Sequence, residues 1–117
     1  MNDFNFENLM VYQKSLDFID EVHAVVDKFP KHELYSLRSQ FTRAANSIAL
    51  NISEGHGDTD RQFNRYLTMA QGSVRECVVC TTLAQRREYI DDKDKDVLRS
   101  KLVEIAKMIS SLKNKLK

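Results

Sequence analysis

The chain has 117 residues, of which 30% are charged and 42% hydrophobic, and these fractions are typical of a folded domain rather than a disordered chain. One Pro and three Gly are too few for a turn-rich β-sandwich or β-barrel, and two Cys are too few for a disulfide scaffold. The formal net charge of +1 excludes a strong overall field toward nucleic acid or membranes. We therefore expect one small helical domain over residues 1–117.

Nothing in the sequence suggests export or membrane insertion. The N-terminal residues carry neither a basic segment nor an apolar run, so a secretory signal is not expected. The longest uncharged run, from Ala44 to Ser53, is about half as long as a membrane-spanning helix requires. We expect a cytoplasmic protein without membrane contact, in which both thiols stay reduced.

Three breaks divide the chain into four segments that predict helices. The breaks are Phe29-Pro30-Lys31, Gly55-His56-Gly57-Asp58 and Tyr89-Ile90-Asp91-Asp92. Pro30 prevents a continuous helix because it lacks an amide proton and clashes with the preceding turn. The predicted helices cover about residues 7–28, 32–54, 59–89 and 92–116.

The residues at the breaks are typical of helix ends. Gly55 can adopt the left-handed conformation that ends a helix, and Asp58 or Thr59 can cap the next one. Acidic side chains gather at the start of the fourth segment, where they favour the positive end of the helix dipole. They are Asp91, Asp92 and Asp94.

Hydrophobic residues recur at steps of three and four in all four segments, which is the pattern of helices with an apolar face. Segment one carries two such stripes, Leu9-Tyr12-Leu16-Ile19-His23-Val26 and Val11-Phe18-Val22-Val25-Phe29. The second stripe predicts either a broad buried face or a subunit interface. Short connections favour antiparallel neighbours, so the pattern predicts an all-α, up-down-up-down four-helix bundle.

Four motifs occur in an order that is distinctive of one family. They are residues 9–15 (LMVYQKS), 29–37 (FPKHELYSL), 43–55 (RAANSIALNISEG) and 63–76 (FNRYLTMAQGSVRE). The chain thereby resembles the four-helix bundle family whose founding members are encoded in intervening sequences of 23S rRNA genes. It departs from the family pattern with Ala49 in place of Pro, Ser36 in place of Gly and Thr42 in place of a second Arg.

The resemblance implies a ring-like homopentamer with no established enzymatic activity and no cofactor. A related branch, the accessory protein of diversity-generating retroelements, shares the pentameric bundle. That branch carries a basic surface and works with nucleic acid and a reverse transcriptase. The resemblance thus implies fold and assembly more directly than it implies a function.

A set of polar residues follows the apolar stripes of segments two and three. Arg43, Ser47, Asn51 and Glu54 are spaced by four, four and three residues and share one helix face, while Ser73 and Glu76 hold a similar relation on helix three. Charged groups that are half-buried need partners, because an unpaired buried charge is costly. Two interpretations stay open: a structural network that sets helix register or subunit contacts, or a polar ligand pocket around Arg43, Asn51 and Glu54.

Three other motifs predict no chemistry. The sequence Gly55-His56-Gly57-Asp58 follows a helix rather than a strand and lacks the lysine of a nucleotide-binding loop, which indicates a capped turn. Cys77-x-x-Cys80 lacks a second ligand pair and lies inside a helix, which indicates buried side chains. His23, His32 and His56 are far apart, and His23 is expected in the core or an interface. We therefore predict no catalytic, cofactor-binding or metal-binding residue.

Charge is distributed unevenly along the chain. Residues 7–28 carry five acids (Glu7, Asp17, Asp20, Glu21 and Asp27) and two bases (Lys14 and Lys28). Residues 99–117 carry six bases and Glu104 as their one acid. A basic stripe could contact phosphates, or it could instead suit a helix C-terminus and pack beside the acidic first helix. With two arginines of helix three, the candidate nucleic-acid contacts are Arg61, Arg65, Arg99, Lys101, Lys107, Lys113, Lys115 and Lys117.

These observations lead to one hypothesis and two alternatives. The hypothesis is a non-enzymatic homo-oligomeric binding or scaffold protein whose partner, beyond itself, is structured RNA or DNA. The first alternative is a protein–protein adaptor that binds no nucleic acid. The second is a small-ligand or enzymatic pocket near Arg43, Asn51 and Glu54.

Overall fold

The computed structural model describes residues 4–116, which form four α-helices and two short 3-10 helices. The α-helices are α1 (Met10–Val26), α2 (Leu37–Gly55), α3 (Asp60–Arg86) and α4 (Asp92–Lys115), and the 3-10 helices are Asn5–Asn8 and Lys31–Glu33. No β-strand occurs in the described range, so the predicted all-α class with four helices is confirmed. None of these helices is long and apolar enough to cross a membrane.

The four helices surround one hydrophobic core in cyclic order. Helix α1 packs against α2 and α4, α2 packs against α3, and α3 packs against α4. Within residues 4–116, the diagonal pairs α1–α3 and α2–α4 make no close backbone contact. Each helix contributes fully buried side chains to the core, for example Phe18, Phe41, Leu67 and Leu98. The grooves α1–α2 and α3–α4 therefore lie on opposite sides of the molecule.

The two apolar stripes of segment one have different environments. All members of the second stripe, from Val11 to Phe29, are buried in the core of the single chain. The interpretation of this stripe as a subunit interface is therefore wrong. The first stripe is the more exposed one: Leu16 and His23 are exposed, and Tyr12 and Ile19 are half-buried. Val26, at the end of the first stripe, is buried, whereas the exposed His23 is not a core residue.

The second helix begins later than its sequence pattern predicts. It starts at Leu37 rather than near residue 32, because Lys31–Glu33 forms a separate 3-10 turn. The nearly buried Glu33 carboxylate accepts the backbone N–H of Leu37 through Oε2, at 3.0 Å. Its other oxygen, Oε1, accepts the hydroxyl of Tyr89 at 3.0 Å. Glu33 thereby joins the start of α2 to the segment between α3 and α4.

The predicted caps are largely confirmed, with one correction. Thr59 caps α3 as predicted, by accepting the N–H of Gln62. Asp91, predicted only as a charge that favours the helix dipole, also caps α4 by accepting the N–H of Asp94. The residue with the left-handed backbone, however, is Gly57, at φ 90°. Gly55 is instead the last residue of α2, and a Cβ atom there would lie 2.6 Å from Cβ of Tyr66 on α3. Position 55 requires a residue without a side chain because α2 and α3 approach each other closely there.

Two glycine substitutions test this close approach. We expect Gly55→Ala to lower the free energy of unfolding by about 1–3 kcal/mol, because the added methyl group overpacks against Tyr66. The matched control is Gly72→Ala within α3, where a Cβ would meet no atom within 4 Å. That control should raise stability by roughly 0.5–1 kcal/mol, because Ala loses less backbone entropy in a helix. Denaturant unfolding of both variants measures the difference, and equal effects would contradict the assignment.

The environment of Glu33 predicts a pH-dependent stability. The hydrogen bond from the N–H of Leu37 lowers the pKa of Glu33 below its ordinary value, although burial opposes the shift. A carboxyl with a lowered pKa contributes stability above its unfolded pKa, about 4.3, and this contribution is lost as the pH falls through the folded pKa.

We therefore expect Glu33→Gln to unfold more easily than the wild type at neutral pH. The difference in stability between the two chains should shrink as the pH drops below about 4.3, because the wild-type carboxyl then becomes protonated and, like Gln, uncharged. Thermal unfolding of both chains over this pH range measures the effect. Tyr89→Phe, which keeps the carboxylate and its bond to Leu37, should retain the pH dependence. A difference that does not change with pH would refute this role of Glu33.

Candidate nucleic-acid interface

Part of the predicted polar set forms a compact hydrogen-bonded cluster between α2 and α3. The hydroxyl of Ser73 donates to Oγ of Ser47 at 2.8 Å across the two helices. The amide of Asn51 donates to Oγ and to the backbone carbonyl of Ser47, at 3.0 and 2.9 Å. These contacts join three polar side chains beside the core and connect α2 to α3.

The charged members of the predicted set lie apart from this cluster. Arg43 and Glu54 are exposed, and Glu76 is half-buried. No hydrogen bond or ion pair in the described part of the chain connects any of them to Ser47, Asn51 or Ser73. The structure therefore does not assemble the expected arginine–carboxylate network. Of the residues of the predicted ligand pocket, Asn51 already has its amide nitrogen engaged by Ser47.

The two cysteines are buried thiols on α3. Cys77 and Cys80 are unexposed, and neither forms a disulfide. Burial raises the pKa of both, that of Cys80 to about 11, because the apolar surroundings disfavour the thiolate. A thiol that stays protonated is neither a good nucleophile nor a good metal ligand. Among residues 4–116, no group of three or more His, Cys, Asp or Glu side chains is arranged to hold a metal ion.

The Gly-rich connection between α2 and α3 is a capped turn. The carboxylate of Asp58 accepts the N–H of Thr59 at 2.7 Å, and Thr59 in turn accepts the N–H of Gln62. These amides are therefore occupied by the chain's own acceptors. The ring of His56 packs edge-on against Phe63, which anchors the turn to α3.

Two ion pairs connect segment one with α4, and each joins a base of the mainly acidic segment to an acid of the mainly basic helix. Lys14 of α1 pairs with Glu104 of α4 at 3.4 Å, and Lys28 pairs with Asp94 at 3.0 Å. Both bases of the acidic segment and the one acid of residues 99–117 are thus neutralised. Helix α4 does lie beside α1, but its basic side chains are not paired with the acids of α1. The charge asymmetry is therefore sharper in the fold than in the sequence.

Basic side chains flank the groove between α3 and α4. On α3, Arg61, Arg65, Thr68, Gln71 and Arg75 follow steps of four, three, three and four, so they share one helix face. On α4, Arg99, Val103, Ala106, Ser110 and Lys113 follow steps of four, three, four and three. Lys113 reaches across the groove and its ammonium group donates to the hydroxyl of Thr68. We call this surface the α3–α4 basic groove, with Arg61, Arg65, Arg75, Arg99 and Lys113 as its cations.

The floor of the α3–α4 basic groove is apolar and shallow. Two adjoining cavities of about 180 and 100 Å³ share Val74 and Ala106, with Arg75 beside the first and Arg99 beside the second. None of the residues lining these cavities is acidic. Arg75 and Arg99 are exposed, and neither has an ion-pair partner in the described range. The groove can therefore present guanidinium groups to an anion without competition from carboxylates at its centre.

The remaining basic candidates lie elsewhere on α4. Lys101 is half-buried, and Lys115 lines a cavity of about 240 Å³ against Leu9 and Met10 at the start of α1. Lys107 is exposed at the outer edge of the α3–α4 basic groove, four residues from Val103 and three from Ser110. Lys117 lies outside the described residues.

Arg75 is the groove residue absent from the sequence-based set. It lies ten residues beyond Arg65, in the middle of α3, and only its step of four from Gln71 places it on the face of Arg61 and Arg65. That relation was available in the sequence. Its importance emerges only when α4 places Arg99 on the opposite side of the same groove.

The opposite side of the molecule carries an apolar groove between α1 and α2. A cavity of about 350 Å³ lies between Tyr12, Leu16 and Ile19 of α1 and Ala49 and Leu50 of α2. Leu50 is 65% exposed and Leu16 is 39% exposed. Exposed apolar side chains on two adjacent helices are typical of protein–protein contact surfaces. We call this surface the α1–α2 apolar groove.

Comparison with known protein families gives a match over most of the chain. The family model described as 23S rRNA-intervening sequence protein matches residues 7–111, which include α1, α2, α3 and most of α4. No curated protein matches the chain.

Proposed function

This chain belongs to the 23S rRNA-intervening sequence protein family, and from that premise we propose that it is a non-enzymatic, homo-oligomeric scaffold that contacts structured RNA through the α3–α4 basic groove. The observation that carries this proposal is the groove itself, where Arg75 and Arg99 line an acid-free floor. Arg61 and Arg65 continue the same face of α3, and Lys113 continues that of α4. The family name refers to 23S rRNA and is compatible with an RNA partner.

The charge arrangement supports phosphate as the ligand. Each phosphate that a Lys or Arg neutralises releases condensed counterions, which favours binding even when the whole protein has little net charge. Four of the five groove cations are arginines, which bind phosphate oxygens in a bidentate manner. The non-enzymatic part of the proposal rests on the buried, protonated thiols and on the lack of any hydrogen bond or ion pair joining Arg43, Asn51 and Glu54 within residues 4–116. We place the protein in the cytoplasm, which suits two unpaired cysteines.

The contacts between helix ends support an up-down-up-down topology. Lys28, just after α1, pairs with Asp94 at the start of α4, whereas Leu9 and Met10 at the start of α1 meet Lys115 at the end of α4. Likewise, Lys113 near the end of α4 contacts Thr68 near the start of α3. Sequential helices that run in opposite directions would produce these pairings.

We further propose that the chain assembles as a homopentamer through the α1–α2 apolar groove. This groove replaces the buried stripe of segment one as the candidate subunit interface. A ring of five joins two different patches on each subunit, and the α1–α2 apolar groove is one of them. We propose that the second patch also lies outside the α3–α4 basic groove, which leaves that groove accessible to RNA. The same exposed apolar side chains favour a second function, that of a protein–protein adaptor, if the groove binds a different protein.

Two charge-reversal pairs test the RNA interface. We expect Arg75→Glu combined with Arg99→Glu to weaken binding of a structured RNA by at least roughly 30-fold at about 0.15 M salt, since each lost phosphate contact costs about five-fold there. The matched control, Lys101→Glu with Lys115→Glu, changes the net charge equally but lies on the side of α4 that faces α1. Fluorescence anisotropy measures both, and circular dichroism verifies the helical content. Equal losses for the two pairs would rule out the groove as a specific interface.

Two leucines test the assembly. We expect the wild type to have a native mass five times that of the 13.6 kDa chain, measured by light scattering after size-exclusion chromatography. Leu16→Glu combined with Leu50→Glu should yield monomers, because charged side chains cannot be buried in an apolar contact without partners. Val79→Glu, at another exposed apolar residue, is the control and should remain pentameric. A monomeric wild type would disprove the assembly itself, and a pentameric double variant would disprove only its location.

A further inference from the structure

We infer that the α3–α4 basic groove binds double-helical RNA along its phosphate backbone and neither stacks nor reads bases. This inference rests on the proposed function, since it specifies the nucleic acid that the same groove takes. It follows from what the groove contains and from what its lining lacks.

The lining of the groove offers no platform for an unpaired base. Its floor is built from aliphatic side chains, chiefly Val74, Val78 and Ala106, and no Phe, Tyr or His lines either cavity. The ring contact of Phe29 with Tyr89, for example, lies outside these cavities. Proteins that bind single strands depend on aromatic side chains, and stacking one base is worth roughly ten-fold to over a hundred-fold in affinity. A single strand in this groove would forgo that gain.

The spacing of the cations suits a continuous backbone. Arg61 and Arg75 are separated by fourteen residues of one helix, which corresponds to about 21 Å at the helical rise. That length spans several base pairs of a duplex, so that one row of cations can meet successive phosphates of one strand. Arg99 and Lys113 are likewise fourteen residues apart on α4. The two rows can therefore follow phosphates along the edge of a helical duplex.

The groove is also rigid, which favours a rigid ligand. Its two sides are long α-helices that share a buried core, and the ammonium group of Lys113 is held by Thr68 on the facing helix. A duplex presents phosphates at fixed positions, whereas a flexible single strand must lose conformational freedom to match them. The deep, narrow major groove of A-form RNA keeps base edges out of reach of side chains such as Arg75, Arg99 and Gln71, so that phosphates are the groups they can meet.

The decisive experiment compares two probes of equal length. An RNA duplex of about 16 base pairs and a uridine-only single strand are labelled with fluorescein and titrated with the full chain over a range of salt concentrations. We expect the duplex to bind at least about ten-fold more tightly, and duplexes of different sequence to bind alike. Arg75→Gln should lower the slope of log K against log salt by about one for each subunit that touches the probe. Arg61→Gln should have a smaller effect, because Asp58 and Asp60 lie close to it in sequence.

A gain-of-function variant provides an independent test. Val103→Trp adds an aromatic face at a half-exposed residue of the groove. We expect this variant to bind the uridine strand more tightly than the wild type does, with no gain for the duplex. Met69→Trp, at a similarly exposed residue of α3 that does not line the groove cavities, is the control and should change neither affinity.

The outcomes separate this inference from the proposed function. If the uridine strand binds as tightly as the duplex or more tightly, the inference is wrong while RNA contact stands. If neither probe binds at about 0.15 M salt, the proposed function itself is wrong. Strong preference among duplexes of different sequence would also overturn the inference, because it would require base contacts.

Discussion

The close approach of α2 and α3 is the constraint on which the rest of the structure depends. It requires a glycine at position 55, because a Cβ atom there would collide with Tyr66. It also brings Ser47 and Ser73 into hydrogen-bonding distance, so that a polar contact beside the core is satisfied rather than buried unpaired. Once α2 occupies one flank of α3, the other flank is left for α4. The face of α3 that carries Arg75 thus becomes one side of a groove.

Local signals in the sequence predicted the helices well, and tertiary choices were predicted poorly. Pro30, Thr59 and Asp91 act within a single turn of backbone, so their effects can be deduced from sequence alone. The choice between two adjacent apolar stripes on α1 depends on which neighbours flank the helix, and periodicity does not contain that information. The late start of α2 has the same origin, since Glu33 is engaged by Tyr89 from more than fifty residues away.

The candidate interface was predictable in part for the same reason. Arg99 and Lys113 were visible as members of a basic C-terminal stretch, but that stretch splits between two sides of α4. Arg75 has no basic neighbour in its own turn, and only the packing of α3 on α4 gives it a role. The prediction of an arginine–carboxylate network was wrong because helical spacing shows which residues share a face but does not show whether that face is exposed to solvent. Arg43 and Glu54 remain in water, where a partner is not required.

Ion pairing in this fold acts on the electrostatic pattern more than on stability. The pairs Lys14–Glu104 and Lys28–Asp94 involve side chains that are partly exposed to water, and exposed pairs contribute only about 0.2–1 kcal/mol. Their consequence is that the two bases of segment one and two of the acids of α4 are neutralised. A chain of almost zero net charge can thereby present one side rich in carboxylates and another rich in guanidinium groups. Net charge alone is a poor guide to the partners of such a molecule.

The cyclic order of the helices also has a kinetic consequence. Three of the four helix contacts join elements that follow each other directly in the chain, and only the α1–α4 contact joins its two ends. Helical proteins dominated by such local contacts typically fold in microseconds to milliseconds, because little loop entropy is lost before contacts form. We therefore expect the contact between α1 and α4 to form last during folding and to open first during unfolding of the bundle.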